Sequence, residues 1–432
     1  MNKIYVRDWR SQKKLKNDKP NPLDEVFDRF LSEKSKIFKN RDVLRHSFVP
    51  DELPHRENQS RLIAEILAPA LQGSIPSNIF CYGKTGTGKT IVAKYVLNYL
   101  IDKCNEMNLT IPITDLINCR LVDTPYRVLS NLCKSVGVTV PFTGLPTDEV
   151  YKRFQLALDS KEQLMIIVLD EVDELVKKDH KKGNDILYDL TRMNYNLEYA
   201  RISLIGISND LKFKQYLDPR VLSSLSEEEC VFPPYTADEL QDILKQRASM
   251  GFHEKVLESG VIPFVSALAA REHGDARRAL DLLHKAGDIA ERKGQDRVSE
   301  ADVKKGQKAI ESDLVSNTVN KMPLQSKLIL YGIYKLENLA LADEIKTGDV
   351  YYAYSQLCKS INIESLTQRR VSDLITELDM LGIISASVIS KGRYGRTKKI
   401  HLQIPKNVIT NVVEKDFMIE QLKPVDITLN KE

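Results

Sequence analysis

Long apolar runs are missing from this chain, and so is any closely spaced pair of cysteines. No stretch approaches the roughly 20 consecutive apolar residues of a membrane-spanning helix, which excludes a helical membrane protein. Residues 1–19 are polar and charged and lack an apolar stretch, which excludes a secretory signal. The six cysteines (Cys81, Cys104, Cys119, Cys133, Cys230 and Cys358) are scattered with no C-x-x-C pair. That argues against zinc or a disulfide scaffold and for buried, reduced thiols in a cytoplasmic protein. A strong charge excess is also absent: the net charge is only +3, so any basic patch that meets nucleic acid must be local. What the 432 residues allow is about two to four domains with real apolar cores.

Between residues 58 and 207 short apolar runs alternate with amphipathic segments. Asn78–Tyr82, Thr114–Cys119, Leu164–Leu169 and Ile202–Ser208 read as strands and the intervening segments as helices, which predicts a parallel sheet covered on both faces. Ahead of it, residues 1–20 read as a polar tail and Val26–Leu31 as part of a helix. Pro233-Pro234 breaks the pattern, Thr236-Ala237-Asp238-Glu239 has the form of a capping box, and helical periodicity alone continues to about Ile310, with Ser299 capping the last helix. From Ser312 come helices, a run Ser385–Ser390, a basic turn and a run Ile400–Ile404, the order of a winged helix. The expected division is a tail (1–20), an α/β core (21–233), an all-helical domain (234–311), a winged helix (312–410) and a C-terminal tail (411–432).

Gly83-Lys84-Thr85-Gly86-Thr87-Gly88-Lys89-Thr90 fits G-x-x-x-x-G-K-[ST] in full, with a strand before it and a long helical pattern after it. Its glycines let backbone N–H groups wrap a phosphate at a helix N-terminus; Lys89 reaches the β/γ-phosphates and Thr90 can ligate Mg²⁺. A Gly-rich turn without a ligand is the bland alternative, and the flanking strand and helix disfavour it. Met165–Leu169 is a buried run ending in Asp170-Glu171. Asp170 suits the Mg²⁺ shell and Glu171 the attacking water, while Asp173 and Glu174 read as the solvated start of the next helix. Asn209 ends the fourth strand-like run, beside the carboxylate strand and near the γ-phosphate; a simple turn with Asp210 is the alternative. Arg220, in Asp218-Pro219-Arg220, is a candidate arginine finger, or equally a surface arginine paired with Asp218. In Gly274-Asp275-Ala276-Arg277-Arg278, Arg277 can reach the phosphates, or else sit on a capped, solvated helix start.

Taken together these segments resemble the archaeal origin-recognition and replication-initiator family, P-loop ATPases of the AAA+ type related to the eukaryotic origin-recognition complex. The residues that carry the resemblance are Leu53-Pro54-His55-Arg56-Glu57, Gly83 to Thr90, Leu169-Asp170-Glu171, Asn209, Asp218-Pro219-Arg220, Gly274-Asp275-Ala276-Arg277 and Gly392-Arg393-Tyr394-Gly395-Arg396-Thr397, spanning roughly Asp51 to Ile404. The resemblance implies an α/β P-loop core, a helical lid and a C-terminal winged helix. It implies ATP or ADP with Mg²⁺ as cofactors, Asn209 as sensor 1 and Arg277 as sensor 2. It places Val49, His55 and Arg56 beside the adenine. It also implies origin double-stranded DNA, the replicative helicase and a second initiator molecule as partners, no membrane, and a nucleoid-associated cytoplasmic location. Composition and spacing alone stop at an ATP-switched DNA binder.

Two segments could touch DNA. Over Thr367–Leu381, Val371, Leu374, Ile375, Leu378 and Leu381 form one helical stripe closed by Gly382, and the other face carries Arg369, Arg370, Ser372 and Thr376. That reads as a recognition helix, with an ordinary surface helix as the alternative. The basic turn that follows, Lys391 to Lys399, tips the balance: Arg393 and Arg396 can meet phosphate or a narrow minor groove, Tyr394 can pack on sugars, and Thr397 and Lys398 extend the wing. Inside the α/β region, Thr124-Pro125 caps one helix and Thr147 another, and the connection between them, with Pro141-Phe142-Thr143-Gly144-Leu145-Pro146, is apolar and uncharged, unlike an ordinary surface loop. The resemblance implies an initiator-specific insertion here that touches DNA; a hairpin packed on its own domain is the alternative. The competing function classes are a ring-forming motor, which lacks its aromatic-Val-Gly pore loop here, and an ATP-dependent transcription regulator built from the same parts.

Overall fold

The computed structural model describes residues 35–427 except 142, 226–227, 340–344 and 391–395, and not the side chains of 390, 396 and 407. The tail 1–20, the helix near Val26–Leu31, and the expected DNA contacts Phe142, Arg393, Tyr394 and the Arg396 side chain lie outside the described residues. The chain divides into two compact units, one ending at Val303 and one starting at Lys304.

In the first unit, α1 (Glu57–Leu67) precedes β1 (Ile79–Tyr82), α2 (Lys89–Glu106), β2 (Ile113–Asn118), α3 (Pro125–Ser135), α4 (Thr147–Asp159) and β3 (Leu164–Asp170). Then come α5 (Asp173–Lys178), α6 (His180–Arg192), β4 (Arg201–Ser208), α7 (Pro219–Leu225) and β5 (Glu228–Val231). The strands form one parallel sheet in the order β2-β3-β4-β1-β5. β3 is an interior strand buried on both faces: Met165, Ile167 and Leu169 enter the core with Phe154 and Leu187, while Ile166 and Val168 enter the other core with Val92 and Val96. The four strands expected from sequence are present within a residue or so at each end; β5 is an addition. Thr124 caps α3, accepting from the Arg127 N–H, but Thr147 is not a cap: Pro146 holds that position and makes no side-chain cap bond.

The capping box is present, with Thr236 and Glu239 bonding reciprocally at the start of α8 (Ala237–Gly251). α9 (Val261–Arg271) and α10 (Ala276–Arg292) pack with it. Residues 35–48, assigned by sequence to the α/β core, join these helices instead. Ile37, Phe38, Val43 and Leu44 are buried, Phe38 packs at a tilt against Phe252 with ring centroids 4.9 Å apart, and Arg247 of α8 donates to the carbonyls of Val43 and Phe48.

The second unit follows from α11 (Glu300–Asn320), with α12 (Leu324–Asn338), α13 (Thr347–Ser360), α14 (Gln368–Met380) and an antiparallel pair, β6 (Ile384–Ser390) and β7 (Arg396–Leu402). Val371, Leu374, Ile375 and Leu378 seat α14 in the core, as the helical stripe requires. Gly382 follows at φ 67, the left-handed turn that closes the helix without strain on a side chain. The second ribbon strand starts earlier than Ile400, because Arg396 to Lys399 pair with Ser387 to Ser390 although their alternation is masked by basic side chains. The expected tail from 411 is not a tail as far as Ile427: Val413, Ile419, Leu422 and Ile427 are buried in this core, and Lys335 donates to the carbonyls of Lys423 and Val425. Among the described residues no helix is long and apolar enough to cross a membrane.

Candidate nucleotide site and nucleic-acid interface

β1 delivers the P-loop to the C-terminal edge of the sheet. Gly86 and Gly88 take φ values of 70 and 95, a left-handed backbone that a side chain would strain. The space is also closed to any side chain: a Cβ on Gly86 would meet the Asp275 carboxylate, and one on Gly88 would meet the Tyr235 hydroxyl. The buried Lys89 ammonium donates to the carbonyls of Gly83 and Lys84 at 2.9 and 2.7 Å. Burial brings its pKa down to about 8, with Asp170 pulling the other way. Thr90 Oγ1 donates to Asp170 Oδ2 at 3.0 Å, so β3 and α2 set a hydroxyl and a carboxylate side by side. Oxygen donors of this kind suit Mg²⁺, and the pair expected from sequence to hold it is therefore brought together.

β4 lies between β1 and β3, so its end falls between the P-loop and the carboxylates. Asn209 Nδ2 donates to Glu171 Oε1 at 3.3 Å. Glu171 itself sits at φ 55, an uncommon left-handed conformation for a residue with a side chain. Burial, and then the neighbouring Asp170, raise the Glu171 pKa above the usual carboxylate range. Asp173 is a correction: it is 3% exposed rather than solvated, accepting from the Ser208 hydroxyl and the Lys177 ammonium, and so it locks the end of β4 to α5. Only Glu174, half-buried, fits the expected solvated turn.

A cavity of about 240 Å³ opens from the P-loop, lined by Gly86, Gly88 and Thr90 together with Val49, Tyr235 and Arg277. Its remaining walls come from residues 46–54 and from α8 and α10, including Ile243, Gln246 and Leu280. Sequence reasoning reached Val49 here but missed Tyr235, Ile243, Gln246 and Leu280, which lie far from it along the chain and carry no local motif. Val49 and Arg277 both line this cavity. His55 does not line the cavity; its Nε2 pairs with Asp242, and its N–H bonds Glu57. Arg56 is also absent from the wall, being 2% exposed and committed to backbone carbonyls behind the loop. Arg220 has its guanidinium on Asp218 and over the Tyr188 ring, and it does not line the P-loop cavity of its own chain.

The sensor role of Arg277 yields an expected result. The side chain is exposed and its helix is capped by Asp275, which accepts from the Arg277 and Arg278 N–H groups, so Arg277→Ala should change nucleotide-free stability by no more than about 0.5 kcal/mol. The rise in melting temperature on adding ATP should shrink. Melts with and without ATP check it; an undiminished rise with unaffected hydrolysis contradicts the role.

On the winged helix, Arg369 and Arg370 are exposed in the first turn of α14, which Thr367 caps; Ser372 and Thr397 are half-buried. Lys398 is not a free wing cation: its ammonium donates to Thr376 Oγ1 at 2.6 Å and its N–H to Thr347 Oγ1, tying β7 to α14 and α13. In the α/β insertion, Thr143 and Gly144 are exposed, and Gly144 has φ 105 with open space where a Cβ would be. Leu145 instead packs against the core with Val138 and Val140, and the Pro141 carbonyl accepts from the Tyr126 hydroxyl at 2.6 Å. Leu145 is thus half-buried and Pro141 exposed, tied to the domain through its backbone carbonyl.

A P-loop separated from its carboxylate strand by a polar strand end, with a helical lid turning an arginine into the same cavity, is the arrangement of an AAA+ ATPase, here followed by a winged helix. Comparison with known proteins bears this out segment by segment. An AAA domain matches residues 74–212, a Cdc6 AAA+ ATPase-type lid domain 241–308, and the CDC6 C-terminal winged helix domain 317–412. The chain is 55% identical over 410 residues to the ORC1-type DNA replication protein of Pyrococcus furiosus, covering 94% of this chain and 96% of that protein. It is 50% identical over 405 residues to ORC1-type DNA replication protein 1 of Methanosarcina mazei, covering 94% and 96%. Among solved structures it is similar to the Aeropyrum pernix ORC1 protein in complex with DNA, at 47% identity and a TM-score of 0.79, over 90% of this chain and 100% of that one. The chain belongs to the family of ORC1-type DNA replication proteins.

Proposed function

We propose that this protein is an ATP-switched initiator that binds double-stranded DNA at replication origins, hydrolyses ATP slowly, and helps recruit the replicative helicase, with a second initiator molecule on the same DNA. The observation that carries the reading is the coexistence, on one chain, of a lid-closed P-loop site and a winged helix whose exposed first turn bears Arg369 and Arg370. The likeness to an ORC1 protein solved on DNA supports the DNA half of it.

At the nucleotide site the chain's own groups divide the work. The Lys89 ammonium exchanges the Gly83 and Lys84 carbonyls for β/γ-phosphate oxygens, a stronger charge-assisted pairing. Thr90 and Asp170 would hold Mg²⁺, which supplies positive charge against the phosphates when bound with nucleotide. Glu171, its basicity raised by burial, polarises the attacking water, and Asn209 holds its carboxylate in place. Arg277 brings the start of α10 to the same cavity, so lid position follows nucleotide state. Arg220 could serve only another molecule's nucleotide in this arrangement.

For DNA, the first turn of α14 reads bases and the wing, with Arg393 and Arg396, grips phosphates. Thr143 and Gly144 of the insertion offer a second, backbone-led contact. Arg369→Ala or Arg370→Ala should relax sequence preference by about 1–3 kcal/mol if the side chain is bidentate to a base. Arg393→Ala and Arg396→Ala should weaken binding to every sequence and lower the salt slope by roughly 1 per phosphate contact. Titrations on an origin duplex and a random duplex over a salt series test both; equal losses on the two duplexes for the α14 variants would sink base reading.

A further inference from the structure

Behind the P-loop, out of reach of a ligand, lies a buried cation with unusual partners. Arg56 is 2% exposed and faces no carboxylate within ion-pair distance among the described residues. Its three guanidinium nitrogens each take a backbone carbonyl. Nε donates to Thr87 of the P-loop at 2.8 Å, Nη1 to His55 at 2.7 Å, and Nη2 to Pro233 at 2.6 Å. Pro233 stands where the α/β core hands over to the helical lid, four residues before α8 begins. The guanidinium lies over the Tyr235 ring, 3.7 Å from its centroid. Burial of a charge with no carboxylate in contact is costly and lowers the Arg56 pKa below the usual guanidinium value, with Tyr235, Glu239 and Glu57 pulling the other way. A fixed fork of five donors is what such a position can use; a lysine also has three donors, but all on one nitrogen, so it cannot reach carbonyls set apart on three sides of a planar guanidinium.

Tyr235 extends this contact in two directions. It lines the nucleotide cavity, and its hydroxyl lies 2.7 Å from where a Cβ on Gly88 would be. Its N–H donates to the Gly274 carbonyl at 3.3 Å, and its own carbonyl lies so close to Gly274 that no Cβ would fit there. Gly274 opens the segment in which Asp275 caps α10 and Arg277 turns into the cavity. One side of this pair therefore grips P-loop backbone at Thr87 and Gly88, and the other grips the hinge at Pro233 and the lid at Gly274.

We infer that Arg56 and Tyr235 are positioning residues that transmit nucleotide occupancy from the P-loop backbone to the lid. The inference rests on the reading of the cavity as a nucleotide site. When phosphates rearrange the loop, the Thr87 carbonyl moves, the fork follows it, and the stacked ring carries the displacement to Gly274 and the start of α10. Two packed states of the fork are enough for this, because a hydrogen-bonded guanidinium does not deform continuously.

The test is hydrogen exchange of the amides at 276–280 in the full chain, nucleotide-free and at saturating Mg-ATP, so that a change in affinity does not enter. In the wild type, saturation should change exchange there by about tenfold or more, as a coupling of the usual size would. Arg56→Lys, which keeps the charge but not the fork, should reduce that change to twofold or less. Tyr235→Leu, which removes the ring under the cation, should do the same and serves if the first variant does not fold. Tyr235→Phe keeps the ring and should retain most of the wild-type response. A full nucleotide response in a folded, saturated Arg56→Lys or Tyr235→Leu protein would overturn the inference, as would a wild type whose lid ignores ATP. Failure of the wild type to bind Mg-ATP at all would instead overturn the nucleotide-site reading beneath it.

Discussion

Lys89→Ala is expected to lower ATP affinity by about 100-fold or more, since it removes a buried ammonium that meets the β/γ-phosphates at close range. The fold should survive, because the lysine's partners in this structure are the Gly83 and Lys84 carbonyls, which face the phosphate loop. The same residue predicts a pH dependence. Burial holds its pKa at about 8 without nucleotide, and contact with phosphates can only raise it. Below pH 8 the ammonium is already protonated and binding needs no proton. Above pH 8 binding must take one up, so affinity should fall by about tenfold between pH 7 and pH 9. Direct titration of ATP across that range checks it. A flat profile, or unchanged affinity in Lys89→Ala, would take the phosphate away from this lysine.

Glu171→Gln should show the opposite separation: ATP binding kept, turnover lowered by about 100-fold or more. The amide has the same shape and can keep the Asn209 contact at 3.3 Å, so neither the left-handed backbone at this position nor the end of β4 should move. What disappears is the carboxylate whose basicity burial has raised. Single-turnover hydrolysis beside a nucleotide titration separates the two effects. Wild-type turnover would move the general base to another residue, with Asp170 already committed to the Thr90 hydroxyl.

The catalytic half of the site was legible because its residues come in unbroken local patterns. A P-loop, a run of apolar residues ending in two carboxylates, and a polar residue closing the next run each lie within eight or so positions, and strand geometry does the rest. Apart from Val49 and Arg277, the other walls of the cavity were not legible. Tyr235, Gln246 and Leu280 become neighbours of Val49 only through the packing of α8 and α10, and nothing local marks them. Arg56 was visible as a residue of interest but not in its role, because a run such as His55-Arg56-Glu57 says nothing about which carbonyls a side chain will reach.

Among the elements, β5 was missed for a physical reason. It is four residues long, starts with two exposed glutamates, and buries only Cys230, so it has no periodic signature of its own and exists as an edge laid against β1. The stretch from 411 to Ile427 was passed over as tail because its apolar residues are broken up by short turns rather than set on one helix; together they nonetheless seal the winged-helix core. Thr147 shows a converse error. A threonine ahead of acidic residues has the look of a cap, but Pro146, with its fixed φ, starts the helix one residue earlier.

The central claim is that this chain marks origins, and the most direct test is to map where it sits on its own genome by crosslinking and sequencing, alongside marker-frequency mapping of replication starts. Occupancy at one or a few discrete sites coincident with replication starts, lost in Arg369→Ala or Arg370→Ala, is the predicted result. Occupancy spread over many promoters, with no enrichment where replication begins, would contradict it.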